Sequence, residues 1–152
     1  MNTPLEIKPG IGLSDLLFGS SIKDSEAVFG KPEEVDLLDD LEDCHSTVLH
    51  YWKNGFSLFF DEANLRMFCC VEIDNADTVL WGQKIFDQKE KQIIELFKAK
   101  GITKFESEQH EWGEKRISFD EANIDFYFEK NKLVSINYGK SIMDQTILIL
   151  PN

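Results

Sequence analysis

The sequence predicts an α+β fold of two tandem β-α-β-β-β units, with mainly antiparallel sheets that each carry one helix. Three observations point there. The ribbon Thr47–Ile73 recurs at an offset of 68: Leu49 meets Ile117, Tyr51 meets Phe119, Leu58 meets Phe126, Phe60 meets Phe128 and Leu65 meets Leu133. A self-match of this length outranks any single motif in deciding architecture. The opening stretch Leu16-Leu17-Phe18-Gly19 recurs as Val79-Leu80-Trp81-Gly82 at an offset of 63. Asn54-Gly55, between apolar runs, is a strong hairpin signal. The units are expected at 1–76 and 77–152, in one compact pseudo-symmetric domain. Thr146-Ile147-Leu148, a third partial copy, is expected to close the second unit as a C-terminal strand.

Element by element, residues 1–12 are an irregular lead-in rich in Pro and Gly, and Leu13–Phe18 is a short strand closed by Gly19. Asp24 is expected to cap a stubby helix, Ser25–Phe29, which Gly30 and Pro32 end. In the second copy, Asp87 with Glu90 resembles a capping box, and the helix Gln88–Lys100 buries Ile93, Ile94 and Phe97 before stopping at Gly101. The literal repeat Phe60–Asn64 and Phe119–Asn123 needs a different offset, 59, and is incidental.

A two-residue loop at Asn54-Gly55 would pair Leu49 with Phe60, His50 with Phe59, Tyr51 with Leu58 and Trp52 with Ser57. Leu49, Tyr51, Phe56, Leu58 and Phe60 then form a face fit to receive a helix. Val48, His50, Trp52, Phe59 and, with register kept, Phe68 form the other. The matching outer face of the second unit would carry Arg116 opposite Glu129, Ser118 opposite Tyr127 and Asp120 opposite Asp125. The first outer face is too apolar to stay wet without a reason, so the expectation is that the other unit or another chain covers it.

The 152 residues carry 16 basic and 28 acidic side chains, a net charge of −12. That balance argues against nucleic acid, whose affinity rests on Lys and Arg at phosphates. It suits a basic protein partner. No signal peptide and no membrane-spanning run is visible, and three cysteines make no disulfide framework, so the expected location is the cytoplasm. No cofactor motif is present: Cys44, His45, His50, Cys69, Cys70 and His110 fit no zinc spacing, and no phosphate-binding glycine loop occurs. Nor does any nucleophile come with a base and an orienting group, which predicts a protein that is not an enzyme.

Residues 33–43 hold seven acids in eleven positions, among them Asp36, Asp39, Asp40, Glu42 and Asp43. The matching stretch 106–114 holds Glu106, Glu108, Glu111 and Glu114 around His110 and Trp112. Read as loops on one side of the molecule, these segments would steer a basic partner. Trp52, Phe59 and Trp112 would be its aromatic anchors. Solvated loops without a partner are the plainer reading of the same charges.

Phe18, Gly19, Ser20, Phe29, Gly30, Lys31 and Pro32 form a strand-turn-helix-Gly-Lys-Pro opening. It resembles that of small bacterial α/β units found in the outer-membrane assembly lipoprotein BamE and, in tandem, in the β-lactamase inhibitor protein family. The resemblance implies a tandem-unit binding protein. In an acidic, cytoplasmic version it is similar to bacterial immunity proteins, which block a toxin domain. The alternative is an interaction domain of other role, homodimeric through the Trp52 face.

Overall fold

The computed structural model describes residues 3–41, 44–61 and 66–140, with backbone alone at 39–41, 44 and 45. Its strands are β1 (Glu6–Lys8), β2 (Gly12–Leu13), β3 (Leu16–Leu17), β4 (Glu34–Leu41), β5 (Cys44–Tyr51), β6 (Phe56–Asp61), β7 (Met67–Ile73), β8 (Val79–Leu80), β9 (Gln83–Lys84), β10 (Glu106–Gln109), β11 (Glu114–Phe119), β12 (Ile124–Glu129) and β13 (Lys132–Gly139). The helices are α1 (Ile22–Phe29) and α2 (Glu90–Ala99).

This corrects the expected fold class. Two tandem units, each with its own sheet and helix, are not what the chain builds. The molecule is mostly β. β4–β7 and β10–β13 join through β7 and β13 into one eight-stranded antiparallel sheet, in the order β10-β11-β12-β13-β7-β6-β5-β4. The short opening strands leave it for a second sheet, β3-β2-β1-β8-β9, in which β1 and β8 run parallel. The physical reason lies in the edges: joining β7 to β13 removes two edge strands whose N–H and C=O groups would otherwise stay open. It also continues one apolar row across seven strands, Val35, Leu49, Leu58, Val71, Tyr138, Ile124 and Phe119. The small sheet and both helices cover this inner face, so Leu5, Ile7, Leu13, Leu80, Ile85, Ile93 and Phe97 share one core with the large sheet. The buried Tyr138 hydroxyl donates to the Gly12 carbonyl at 2.9 Å and ties the two layers together.

The hairpin loops are longer than expected. Tyr51 pairs with Phe56, and residues 52–55 form a 3-10 turn closed by Gly55 at φ 70°. A Cβ on Gly55 would meet Asp74 Oδ1 at 2.8 Å and the Asn75 backbone at 3.1 Å, so both the left-handed conformation and the space favour glycine. Phe119 pairs with Ile124 around the matching turn, which Asn123 closes at φ 51°. Relative to the two-residue loop, every pairing moves by two: Leu49 faces Leu58, His50 faces Ser57, Arg116 faces Tyr127 and Ser118 faces Asp125. A shift of two leaves each side chain on its expected face.

The third strand departs further. A bulge between Phe59 and Phe60 puts Phe68 opposite Phe60, in the core and not on the outer face. Leu133 stands opposite Phe128 in the same way, so Phe68 and not Leu65 is its counterpart, at an offset of 65. Leu65, Glu42, Asp43 and the C-terminal strand expected at 146–148 lie outside the described residues.

The helix caps shift as well. α1 begins at the Ser21 cap, with Asp24 as the acid of its capping box, the two bonds being 3.1 and 3.0 Å. α2 begins after Lys89, whose N–H donates to the Gln92 side chain at 2.8 Å.

Candidate functional site

The described residues among those expected to meet a partner sit on the outer face and at the two edges of the large sheet. The register aligns Glu34, His50, Ser57, Glu72, Asn137, Asp125, Ser118 and Glu106 in one polar row across all eight strands. This row is one step away from the apolar row, as the period of two requires. It could not be found hairpin by hairpin, because it depends on the pairing of β7 with β13.

Both acidic segments expected to be loops are edge strands. Residues 34–41 form β4 and residues 106–109 form β10, at opposite ends of the strand order. Seven strand intervals of roughly 4.8 Å separate them by about 33 Å along the sheet. They therefore do not make one acidic patch. Each is a separate acidic edge.

At the β4 edge, three side chains form a hydrogen-bonded chain. His50 Nε2 lies 2.7 Å from Asp36 Oδ2, and His50 Nδ1 lies 2.7 Å from Ser57 Oγ. A carboxylate only accepts, so the neutral ring carries its proton on Nε2 and receives the Ser57 O–H at Nδ1. Trp52 stacks on the imidazole at 4.2 Å with 9° between planes, and its Nε1–H donates to Glu34 Oε1 at 3.1 Å. Trp52 is 56% exposed, so of the two covers expected for this face, the described residues of the other half of the chain do not supply one. Val48 is buried on the same face, and Phe59 is half-buried between Val48 and Cys70.

β4 itself exposes Val35, Leu38 and, at 78%, Leu37. Asp36 is part of the His50 chain, while Asp39 and Asp40 continue the strand at backbone level only. The exposed leucines were missed because residues 33–43 read as a charge run, although Val35 and Leu37 already alternate with acids in strand period.

At the β10 edge, Glu108 accepts from Arg116 at 2.8 Å and lies 3.3 Å from His110 Nε2. Trp112 stacks on His110 at 4.5 Å and is 72% exposed, and Glu111 is exposed beside it. On the helix side of this edge, Lys89, Lys91, Lys115 and Lys130 ring a cavity of about 370 Å³, with Glu90 bound to Lys115 at 2.5 Å.

An Asp, a His and a Ser in a hydrogen-bonded line have the roles of orienter, base and nucleophile. The surroundings do not complete that chemistry. Ser57 is buried in β6, which is flanked by β5 and β7, so the ladder takes up the amides that an oxyanion would need. Burial pushes the Cys70 thiol up to about 12, away from the reactive thiolate. Among the described residues, no three His, Cys, Asp or Glu side chains are grouped to hold a metal ion. No helix among them is long and apolar enough to cross a membrane.

No family model and no curated protein matches the sequence. Among solved structures, an extracellular protein containing a SCP domain from Bacillus anthracis str. Ames is similar, with a TM-score of 0.51 and 12% identity. The match covers 97% of this chain and 51% of that one, so this chain spans about half its length. At that identity the likeness concerns the fold alone.

Proposed function

We propose that the protein is a non-enzymatic binding module of the immunity or inhibitor kind, which takes a basic, extended segment of a partner protein on its β4 edge. One observation carries the reading: among the described residues β4 is an unpaired edge strand that bears carboxylates and exposed Val35, Leu37 and Leu38, with Trp52 pre-set at its end. An open edge offers main-chain hydrogen bonds to an added strand, and alternate side chains set its specificity. Here the acids favour Lys or Arg on the incoming strand, and the leucines favour an apolar residue between them.

A homodimer through the same edge is the weaker reading, because antiparallel β4–β4 pairing would set carboxylates against their own copies. Three cysteines, two of them adjacent in β7, make no disulfide framework, and we place the protein in the cytoplasm on that ground.

The test begins with a partner obtained by co-purification, followed by association rates between about 50 and 500 mM salt, over which the Debye length falls from roughly 14 to 4 Å. The on-rate should drop steeply with salt and in a variant with Asp36, Asp39 and Asp40 changed to Asn. Amide exchange in β4 should slow on binding. An acidic partner, or a β4 whose amides exchange as fast bound as free, sinks the proposal.

A further inference from the structure

We propose that the lysine-lined cavity between the start of α2 and the β12–β13 turn binds a phosphoryl group. The cavity has a volume of about 370 Å³, and Lys89, Lys91, Lys115 and Lys130 line it, with Glu90 the one acid among its lining residues. Glu90 is bonded to Lys115 at 2.5 Å. Lys89, Lys91 and Lys130 make no ion pair among the described residues, in a chain with 28 acidic side chains.

Converging lysines alone would mean only a solvated rim. Their positions add a separate observation, because each stands where the local structure favours another residue. Lys89 occupies the cap position of α2, where Ser, Thr, Asp or Asn would accept from first-turn amides and an ammonium cannot. Lys91 lies in the first turn, at the positive end of the helix dipole, which favours an acid. Lys130 has a left-handed backbone, φ 51°, in the two-residue turn with Asn131, a place suited to Gly, Asn or Asp. α1 shows the ordinary solution, with Ser21 at the cap and Asp24 in its first turn.

Three local rules are thus broken with one residue type around one cavity, and departures of this kind are expected at functional sites. An anion in the cavity supplies the compensation. It neutralises ammonium groups that otherwise repel one another, and it meets the helix end that lacks a capping oxygen.

The lining also selects the anion. Ammonium groups are point charges that can approach from several directions, which suits the tetrahedral oxygens of a phosphate. No arginine is among the lining residues, so the planar fork that matches a carboxylate is missing. A net charge of −12 repels an extended polyphosphate chain, which leaves a single compact phosphoryl group as the ligand. The source is a small phosphate ester or a phosphorylated side chain of a partner. The cavity lies at the end of the sheet opposite β4, and the inference stands without the function proposed above.

The full-length protein, labelled with ¹⁵N, is titrated with inorganic phosphate, N-acetyl-phosphoserine amide and a phosphoserine tripeptide. Acetate is the carboxylate control, and NaCl holds the ionic strength constant. Phosphate should shift the amides of Lys91, Gln92 and Lys130 saturably, and acetate should not. Lys89→Ser and Lys130→Asn restore the locally favoured residues. Each should therefore raise the denaturation midpoint of the free protein while weakening phosphate binding about tenfold, an opposition of sign that a purely structural lysine would not show. Lys98→Gln, in the last turn of α2, should leave binding unchanged. Tighter binding of the tripeptide than of the amide assigns a partner's phosphorylated side chain, and equal binding a small ester. Absence of saturable shifts up to about 10 mM phosphate, equal binding of acetate, or Lys89→Ser and Lys130→Asn variants that bind like the parent would overturn the assignment.

Discussion

The two halves of the large sheet share a register and differ in what they do with it. Leu49 faces Leu58 as Ile117 faces Phe126, and Tyr51 faces Phe56 as Phe119 faces Ile124. On the outer side, matching positions carry His50 and Ser57 in one half, Ser118 and Asp125 in the other. The first pair is saturated by Asp36 and roofed by Trp52, whereas among the described residues the second leaves the Ser118 hydroxyl without a partner. The difference teaches that burial holds the inner face to one pattern, while the outer face is free to differ between the two halves in its polar contacts.

The largest effect should come from breaking what the halves share. Leu58→Ala and Phe126→Ala remove fully buried inner-face side chains and should cost about 2–5 kcal/mol each, read by urea denaturation. A cost below about 1 kcal/mol at either position would mean that the two halves are not equally part of one core.

A smaller effect should separate the two His-Trp stacks. Asp36→Ala leaves the half-buried His50 without its acceptor and should destabilise the fold by about 1–3 kcal/mol. Glu108→Ala, in the exposed Arg116 pair, should cost at most about 1 kcal/mol. Equal costs would show that the Asp36–His50–Ser57 chain is as solvent-screened as its counterpart.

A separate effect is alkaline. Burial, then the charges of Glu26 and Glu33, raise Tyr51 from 10.0 to about 12, and burial raises Cys70 from 9.0 to about 12. Above about pH 9 the unfolded chain releases these protons while the native state keeps them, so the native state binds more protons. Stability contributed by the two groups is therefore complete below pH 9 and is lost as the pH rises towards 12. A denaturation midpoint that stays flat from pH 9 to 11.5 in the wild type, and matches that of Tyr51→Phe, would contradict this.

Much of the local structure was legible in the sequence. The offset of 68 located matching hairpins, and the alternation of Leu49, Tyr51, Leu58 and Phe60 put the right residues on the inner face. The two-residue error in loop length did no harm there, because side-chain direction repeats every second residue. It did hide the candidate site, since only the longer loop brings His50 opposite Ser57. Asp36 was out of view for a different reason: a dense run of acids reads as solvent-exposed loop, and β4 becomes a strand only by pairing with β5.

By itself, then, the sequence determined periodicity, hairpins, the inner apolar face and the acidic charge, all properties set by neighbours within a few residues. Tertiary structure decided that β7 meets β13, that the opening strands leave for a second sheet, and that the acidic segments become opposite edges. Which edges join is a contest between exposed backbone groups far apart in the chain. The apolar pattern is nearly the same in both halves and so cannot choose among them.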